Sequence, residues 1–131
     1  LILGDLDYFK LVNDRFGHMV GDRVLRDVAR LMRMSLRRSD LAFRIGGEEF
    51  AILLAETSLR SGSEVAEKLR RRIDESPIQL ETGQTIFPTM SFGVGSPDGI
   101  GAEDFFQAVD RALYLAKQKG RNRIEQAVPA T

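Results

Sequence analysis

Arg44-Ile45-Gly46-Gly47-Glu48-Glu49-Phe50 decides how this chain is read. Leu41-Ala42-Phe43 leads into it and Phe50-Ala51-Ile52-Leu53-Leu54 leads out. Two apolar runs around a glycine pair predict two strands joined by a tight hairpin turn, because glycine takes positive φ freely at both central turn positions. Glycine also lets the atoms of a ligand approach the backbone. The acids that follow, Glu48 and Glu49, read either as a solvated hairpin tip or as a place for a metal ion or a phosphate-bearing substrate.

A second acidic segment, Asp5-Leu6-Asp7, shifts the balance toward a site. It closes an apolar strand that starts Leu1-Ile2-Leu3. Asp7 is typed as the N-cap of a short helix beginning at Tyr8. Asp5 then sits at the carboxyl end of the strand, beside that helix N-terminus. A carboxylate there can hold a divalent cation, while the N–H groups of Phe9 and Lys10 and the Lys10 ammonium can hold phosphates. Magnesium suits such a partial protein shell, with substrate oxygens completing it.

Composition narrows the classes. The 131 residues suit one domain with a real core, and 43% hydrophobic residues is an ordinary globular content. Nineteen Lys and Arg balance nineteen Asp and Glu, so net charge offers no argument for nucleic-acid or membrane binding. Without cysteine there is no disulfide framework and no thiolate metal site, which fits a reducing cytosol. No apolar run reaches membrane-spanning length and no signal peptide is visible, so a cytoplasmic location is expected. A start inside a strand, at Leu1, leads to the expectation of a single domain over 1–131, cut on its N-terminal side from a longer protein.

Outward from the hairpin, Val24, Leu25, Val28, Leu31, Met32 and Leu36 repeat at helical spacing and predict a helix over 20–37. A polar link over 56–63 precedes a second helix, with Ser61 and Glu64 as a capping box and Val65, Ala66, Leu69 and Ile73 inward, stopping before Pro77. A β section over 78–94 follows, whose alternation through Ile86, Pro88, Met90, Phe92 and Val94 predicts a strand, with Pro88 at an edge or bulge. Pro97-Asp98-Gly99 reads as a turn. A last helix over 102–119 packs Phe105, Phe106, Val109, Ala112, Leu113 and Ala116 and ends at Gly120, before a short strand over 123–125. Helices alternate with strands, yet hairpins dominate. The expected fold class is therefore an α/β sandwich of the α+β type, with a mixed, mostly antiparallel sheet.

Four pieces in order then carry a resemblance: Asp5-x-Asp7-x-Phe9-Lys10; Asn13-Asp14-x-x-Gly17-His18-x-x-Gly21-Asp22; Arg44-x-Gly46-Gly47-Glu48-Glu49-Phe50; and Lys117-x-x-Gly120-Arg121-Asn122. Together they resemble the GGDEF domains, the diguanylate cyclases of bacterial signalling, over essentially the whole chain. The resemblance implies a central sheet of about five strands flanked by helices, similar to nucleotidyl cyclases and polymerase palms. It implies a homodimer that condenses two GTP into cyclic di-GMP and two pyrophosphates, with a regulatory domain on the N-terminal side. A catalytically silent module that senses GTP or cyclic di-GMP is the main alternative.

The family's residue roles carry over position by position. Asp5, the Leu6 carbonyl and Glu48 are implied ligands of Mg2+, or of Mn2+ in its place. Glu48 or Glu49 is implied to help deprotonate the ribose 3′-hydroxyl, the choice being open, and the family more often has Asp at the position of Glu48. Phe9 and Lys10 are implied to cradle phosphates, with Lys10 stabilising the transition state. Lys117 and Arg121 are implied to clamp the outer phosphates, while Lys119 reads as compensation of the helix dipole. Asn13 and Asp22 match the family's guanine-reading pair, His18 lines the nucleotide pocket, and Gly46 and Gly47 admit substrate. Arg37-x-x-Asp40, placed just before the hairpin, matches an inhibitory product site. Lys68 stands where some members carry a second arginine, without the arginine fork.

Overall fold

The computed structural model describes residues 1–98 and 100–128. β1 (Ile2–Leu6) leads into α1 (Phe9–Phe16) and α2 (His18–Ser35), then β2 (Leu41–Arg44), β3 (Glu49–Leu53) and α3 (Leu59–Asp74). β4 (Ile78–Gln79), β5 (Thr85–Ile86), β6 (Met90–Val94), α4 (Ala102–Gln118) and β7 (Ile124–Gln126) complete the order. Five strands form one sheet in the order β2-β3-β1-β6-β7, and β4 pairs with β5 apart from it. Within the large sheet only β6 with β7 is parallel. The expected mixed, mostly antiparallel α/β architecture is the one observed.

Strand alternation sorts side chains onto two layers. Ile2 and Leu6 of β1 join Phe50, Ile52 and Phe92 under α2 and α3, where Val24, Val28, Ala66 and Leu69 are buried. Leu3 and Ala51 face the other way, under Val109, Ala112 and Leu113 of α4. Covered on both sides, β1 and β6 are buried at every position. Gly93 on β6 sets how near α4 comes. A Cβ built there would lie 2.4 Å from the Val109 carbonyl oxygen and 2.6 Å from the Leu113 nitrogen. The sheet can meet the helix backbone only because residue 93 has no side chain.

Several expectations are corrected locally. The helix expected over 20–37 runs over His18–Ser35, separated from α1 by Gly17 alone (φ 89°), and Leu36 is already extended. Arg37 therefore lies beyond the helix. α3 begins one turn before the expected box: Ser58, with extended backbone, accepts the Ser61 N–H at 3.1 Å. Gly62 and Ser63 are buried within this helix. The strand expected through Pro88 breaks there, since proline has no N–H for a ladder; β5 stops at Ile86, Phe87 is exposed, and β6 starts at Met90. Phe106, expected in the core, is 47% exposed, while Val109, Ala112, Leu113 and Ala116 are buried as expected.

Gly99 lies outside the described residues, but Ile100 N–H donates to the Pro97 carbonyl across the predicted turn at 3.0 Å. α4 closes as expected at Gly120, in a Schellman arrangement. Arg121 N–H reaches Ala116 O at 3.0 Å, and Gly120 N–H reaches Lys117 O at 3.4 Å.

Candidate active site

β1 ends between its two neighbours with its acids in register. Asp5 is paired across β3 with Glu49 and across β6 with Ser91. One step on, Leu6 N–H donates to the Glu48 carbonyl at 3.1 Å, which fixes Glu48 beside the end of β1. The two acidic segments that lie far apart in sequence are thus one constellation.

The loop that carries Glu48 is wider than a two-residue hairpin. Arg44 pairs with Phe50, and Ile45 N–H donates to the Glu49 carbonyl at 2.9 Å. Neither Gly46 nor Gly47 is among the glycines with positive φ, so the expected turn geometry is corrected. Arg44 shapes the loop instead. Its Nε donates to the Gly46 and Gly47 carbonyls, each at 3.1 Å, and Nη2 donates to the Gly47 carbonyl at 2.7 Å. A Cβ on Gly47 would meet nothing within 4 Å, so that face of the loop is open to a ligand.

A cleft of about 430 Å³ lies against this loop, lined by Phe9, Lys10, Asn13, His18, Asp22, Leu25, Arg44, Gly47 and Glu48. The structure therefore brings together Lys10, Phe9, Asn13, His18, Asp22, Gly47 and Glu48. Glu49 is exposed and outside this lining, with its carboxylate turned toward Gly46. α1 and α2 can meet at the cleft because Gly21 is bare: a Cβ there would lie 1.9 Å from Asn13 Oδ1. Tyr8 takes the N-cap position of α1 in a left-handed conformation (φ 57°, ψ 28°), and no side chain caps the helix. Its first N–H groups are left for an anion.

Asp7 is not the cap that sequence reasoning makes it. It faces the α4 side, as Leu3 and Asp5 do, and its carboxylate accepts three hydrogen bonds. They come from Thr89 Oγ1 at 2.8 Å, Ser91 Oγ at 2.7 Å and the Asn122 backbone N–H at 3.0 Å. Asn122 Oδ1 in turn accepts from Arg70 at 2.9 Å, and Arg70 is paired with Glu67 at 2.6 Å. This network pins the segment after α4 to the end of β1. Sequence reasoning missed it; the available signal was a pair of hydroxyls, Thr89 and Ser91, in an otherwise apolar strand.

Lys117 and Arg121 reach the same end of β1 from α4 but do not line the cleft. Lys117 Nζ donates to Asp5 Oδ2. The Arg121 guanidinium lies over the Tyr8 ring at 4.9 Å. Asp5 is 5% exposed. Burial pushes its carboxyl up, Lys117 pulls it partly back, and the charges of Glu48 and Glu49 push it up again.

The second predicted constellation is assembled apart from the cleft. The Arg37 backbone N–H donates to Asp40 Oδ2 at 2.9 Å, and Nη2 reaches Asp40 Oδ1 at 3.3 Å and Thr57 Oγ1 at 3.1 Å. The Asp40 side chain is 3% exposed and that of Arg37 is 64% exposed, so the acid anchors and the guanidinium faces out. Burial works against ionisation of Asp40, but the backbone and guanidinium of Arg37 prevail and hold its carboxyl below the usual range. Arg37 and Lys68 line one pocket of about 400 Å³ with Glu56, Thr57, Ser61, Glu64 and Val65.

Residues 1–123 match the family described as "Diguanylate cyclase, GGDEF domain". Diguanylate cyclase DgcP of Pseudomonas aeruginosa is 44% identical over 124 residues, covering 94% of this chain but 18% of that protein. This chain therefore spans under a fifth of that relative. The active GGEEF domain of a diguanylate cyclase from Vibrio cholerae superposes with a TM-score of 0.87 at 35% identity, over 98% of this chain and 82% of the other. The GGDEF domain of DgcB from Caulobacter crescentus, solved in complex with c-di-GMP, gives a TM-score of 0.90 at 29% identity, over 96% and 75%.

Proposed function

This chain belongs to the diguanylate cyclase GGDEF domain family, and on that premise we propose that it condenses two GTP into cyclic di-GMP. The observation that carries the proposal is Glu48 held beside Asp5 at the end of β1, next to an uncapped helix N-terminus and in a cleft that Glu48 shares with Lys10, Asn13 and Asp22. Acids and a phosphate-holding helix end meet where a purine edge can be read.

The donor chemistry fits Mg2+. Asp5 is buried with Glu48 and Glu49 near it, an excess of carboxylate that a hard cation relieves. Among the described residues no cluster of three or more His, Cys, Asp or Glu is placed to hold a metal. Asp5, the Leu6 carbonyl and Glu48 would therefore share it with substrate oxygens. When bound, the cation neutralises phosphate charge and favours the ionised 3′-hydroxyl.

The rest is the work of this chain's own groups. The first N–H groups of α1 and the Lys10 ammonium hold the phosphates of GTP and stabilise charge developing in the transition state. Asn13 and Asp22 accept from the guanine N1–H and N2–H2 edge, which adenine cannot satisfy. The 3′-oxygen of each GTP forms a bond to the α-phosphorus of the other, and the α–β bridging bond breaks to release pyrophosphate. Glu48 takes the hydroxyl proton, a role favoured over Glu49 by its place in the cleft lining. Each domain holds one GTP, so turnover needs two copies face to face. The product binds back at Arg37 and Lys68, where guanidinium and ammonium share one pocket, with buried Asp40 orienting the Arg37 guanidinium.

A silent sensor would keep that second pocket and dispense with the acids; this chain keeps both. The test is chromatography of products after concentrated protein is incubated with GTP and Mg2+, for the wild type and Glu48→Gln. Cyclic di-GMP from the wild type and none from the variant is expected. No product, even when the chain is fused to a dimerising coiled coil, overturns the cyclase reading in favour of the sensor.

A further inference from the structure

Lys117 reaches the end of β1 but lies outside the cleft lining. It is spent on Asp5, the carboxylate to which a cation would bind. We infer that Lys117 stands in for the divalent cation: it holds Asp5 in the metal-free site and is handed to the nucleotide phosphates when the cation takes Asp5. The inference rests on the functional reading above.

Among the described residues near the end of α4, the other cations are engaged elsewhere, while Lys10 lies in the cleft lining with Glu48. Lys119 is committed to Glu125 at 3.1 Å, and Arg121 is stacked on Tyr8. Asp5 is buried and cannot turn to water for compensation. An ammonium donates only and a carboxylate accepts only, so metal and Lys117 compete for the same oxygens. Lys117 is 31% exposed at its side chain and sits in the last turn of α4, whose end is fixed by the Gly120 closure. Its flexible stem can redirect the ammonium by rotamer change while the backbone stays in place. The consequence is coupling: each of metal and triphosphate binds weakly alone, and each strengthens the other by the same factor.

Calorimetry on the intact chain tests this at two points. The first titration uses Mn2+ without nucleotide. Removing one charge-assisted hydrogen bond, Lys117→Met should tighten Mn2+ about tenfold, whereas Lys119→Met, which also removes a charge from the end of α4, should leave it nearly unchanged. The second titration uses GTP in EDTA. Asp5→Asn frees Lys117 and should tighten GTP about tenfold; in the Lys117→Met background the same substitution should give little gain. Equal gains in both backgrounds mean that Asp5 merely repels phosphate, and overturn the hand-off while leaving the functional reading intact. Unchanged Mn2+ affinity in Lys117→Met also overturns it, with Asp5 untouched. A wild type that binds neither Mn2+ nor GTP with Mg2+ overturns the functional reading and the hand-off together.

Discussion

Removing the Asp7 carboxylate should cost more stability than any other single polar change at this site. Asp7→Ala takes the acceptor from Thr89, Ser91 and the Asn122 N–H together. Ser91 is 0% exposed and has no water to turn to. Hydrogen bonds to a charged group contribute about 1.5–3 kcal/mol each and do not sum within one network, so a net loss of about 3–5 kcal/mol is expected. That is a large share of the roughly 5–15 kcal/mol typical of a domain. Asp7→Asn should be far milder, at about 1–2 kcal/mol. With its oxygen toward Thr89 and Asn122, its amide nitrogen meets Ser91 Oγ, which can rotate to accept; a backbone N–H could not.

Urea unfolding followed by far-ultraviolet circular dichroism suits this chain, which has no tryptophan. Hydrogen exchange at Asn122 supplies a local readout and should accelerate in Asp7→Ala. A loss under about 1 kcal/mol, or an Asp7→Asn variant as damaged as Asp7→Ala, would refute the reasoning.

Gly93→Ala should destabilise by about 2–4 kcal/mol, because the Val109 carbonyl and the Leu113 nitrogen are backbone and α4 must move as a body; thermal melts check this. On the proposed function, Arg37→Ala should weaken cyclic di-GMP binding and relieve product inhibition while the initial rate stays near the wild type, as measured by progress curves with and without added product. Glu67 carries a pH signature. The Arg70 hydrogen bond outweighs burial, with Arg71 adding to it, and holds the Glu67 carboxyl below its usual range. A depressed folded-state pKa stabilises above the ordinary glutamate pKa, and that contribution fades as pH falls through the depressed value. The stability gap between wild type and Glu67→Gln should thus be widest near neutrality and close in acid, in melts from pH 7 downward.

Helix positions and the apolar faces were legible because Val24, Leu25, Val28 and Met32 repeat along one stripe, and strand identity followed from the same kind of pattern. The partners of the acids were legible only through motif order. Nothing local ties Asp5 to Lys117, which lies 112 residues away, or Asp7 to Asn122, at 115. Asp7 before a helix has the local features of a cap, and only the β6 register turns it toward Ser91. Phe105 and Phe106 are adjacent, and a helix cannot turn both inward; the period does not say which one loses. Ser58 and Ser61 are both competent caps by residue type, and the local sequence does not choose between them.

The strand order has a consequence for how the chain is made. β1 comes first in chain order yet lies in the middle of the sheet, between β3 and β6. As residues leave the ribosome at about 5–20 per second, β1 waits for both partners with bare edges on either side. Pairing with β3 seals one edge; the other stays open until Met90–Val94 has emerged. Lys117 and Asn122 follow later still, so every nascent chain short of them has its acids without its lysine and its central strand without its lock. Such intermediates offer an apolar template for other chains. A chaperone that shields β1 during that interval should raise the yield of soluble protein more than one acting after release.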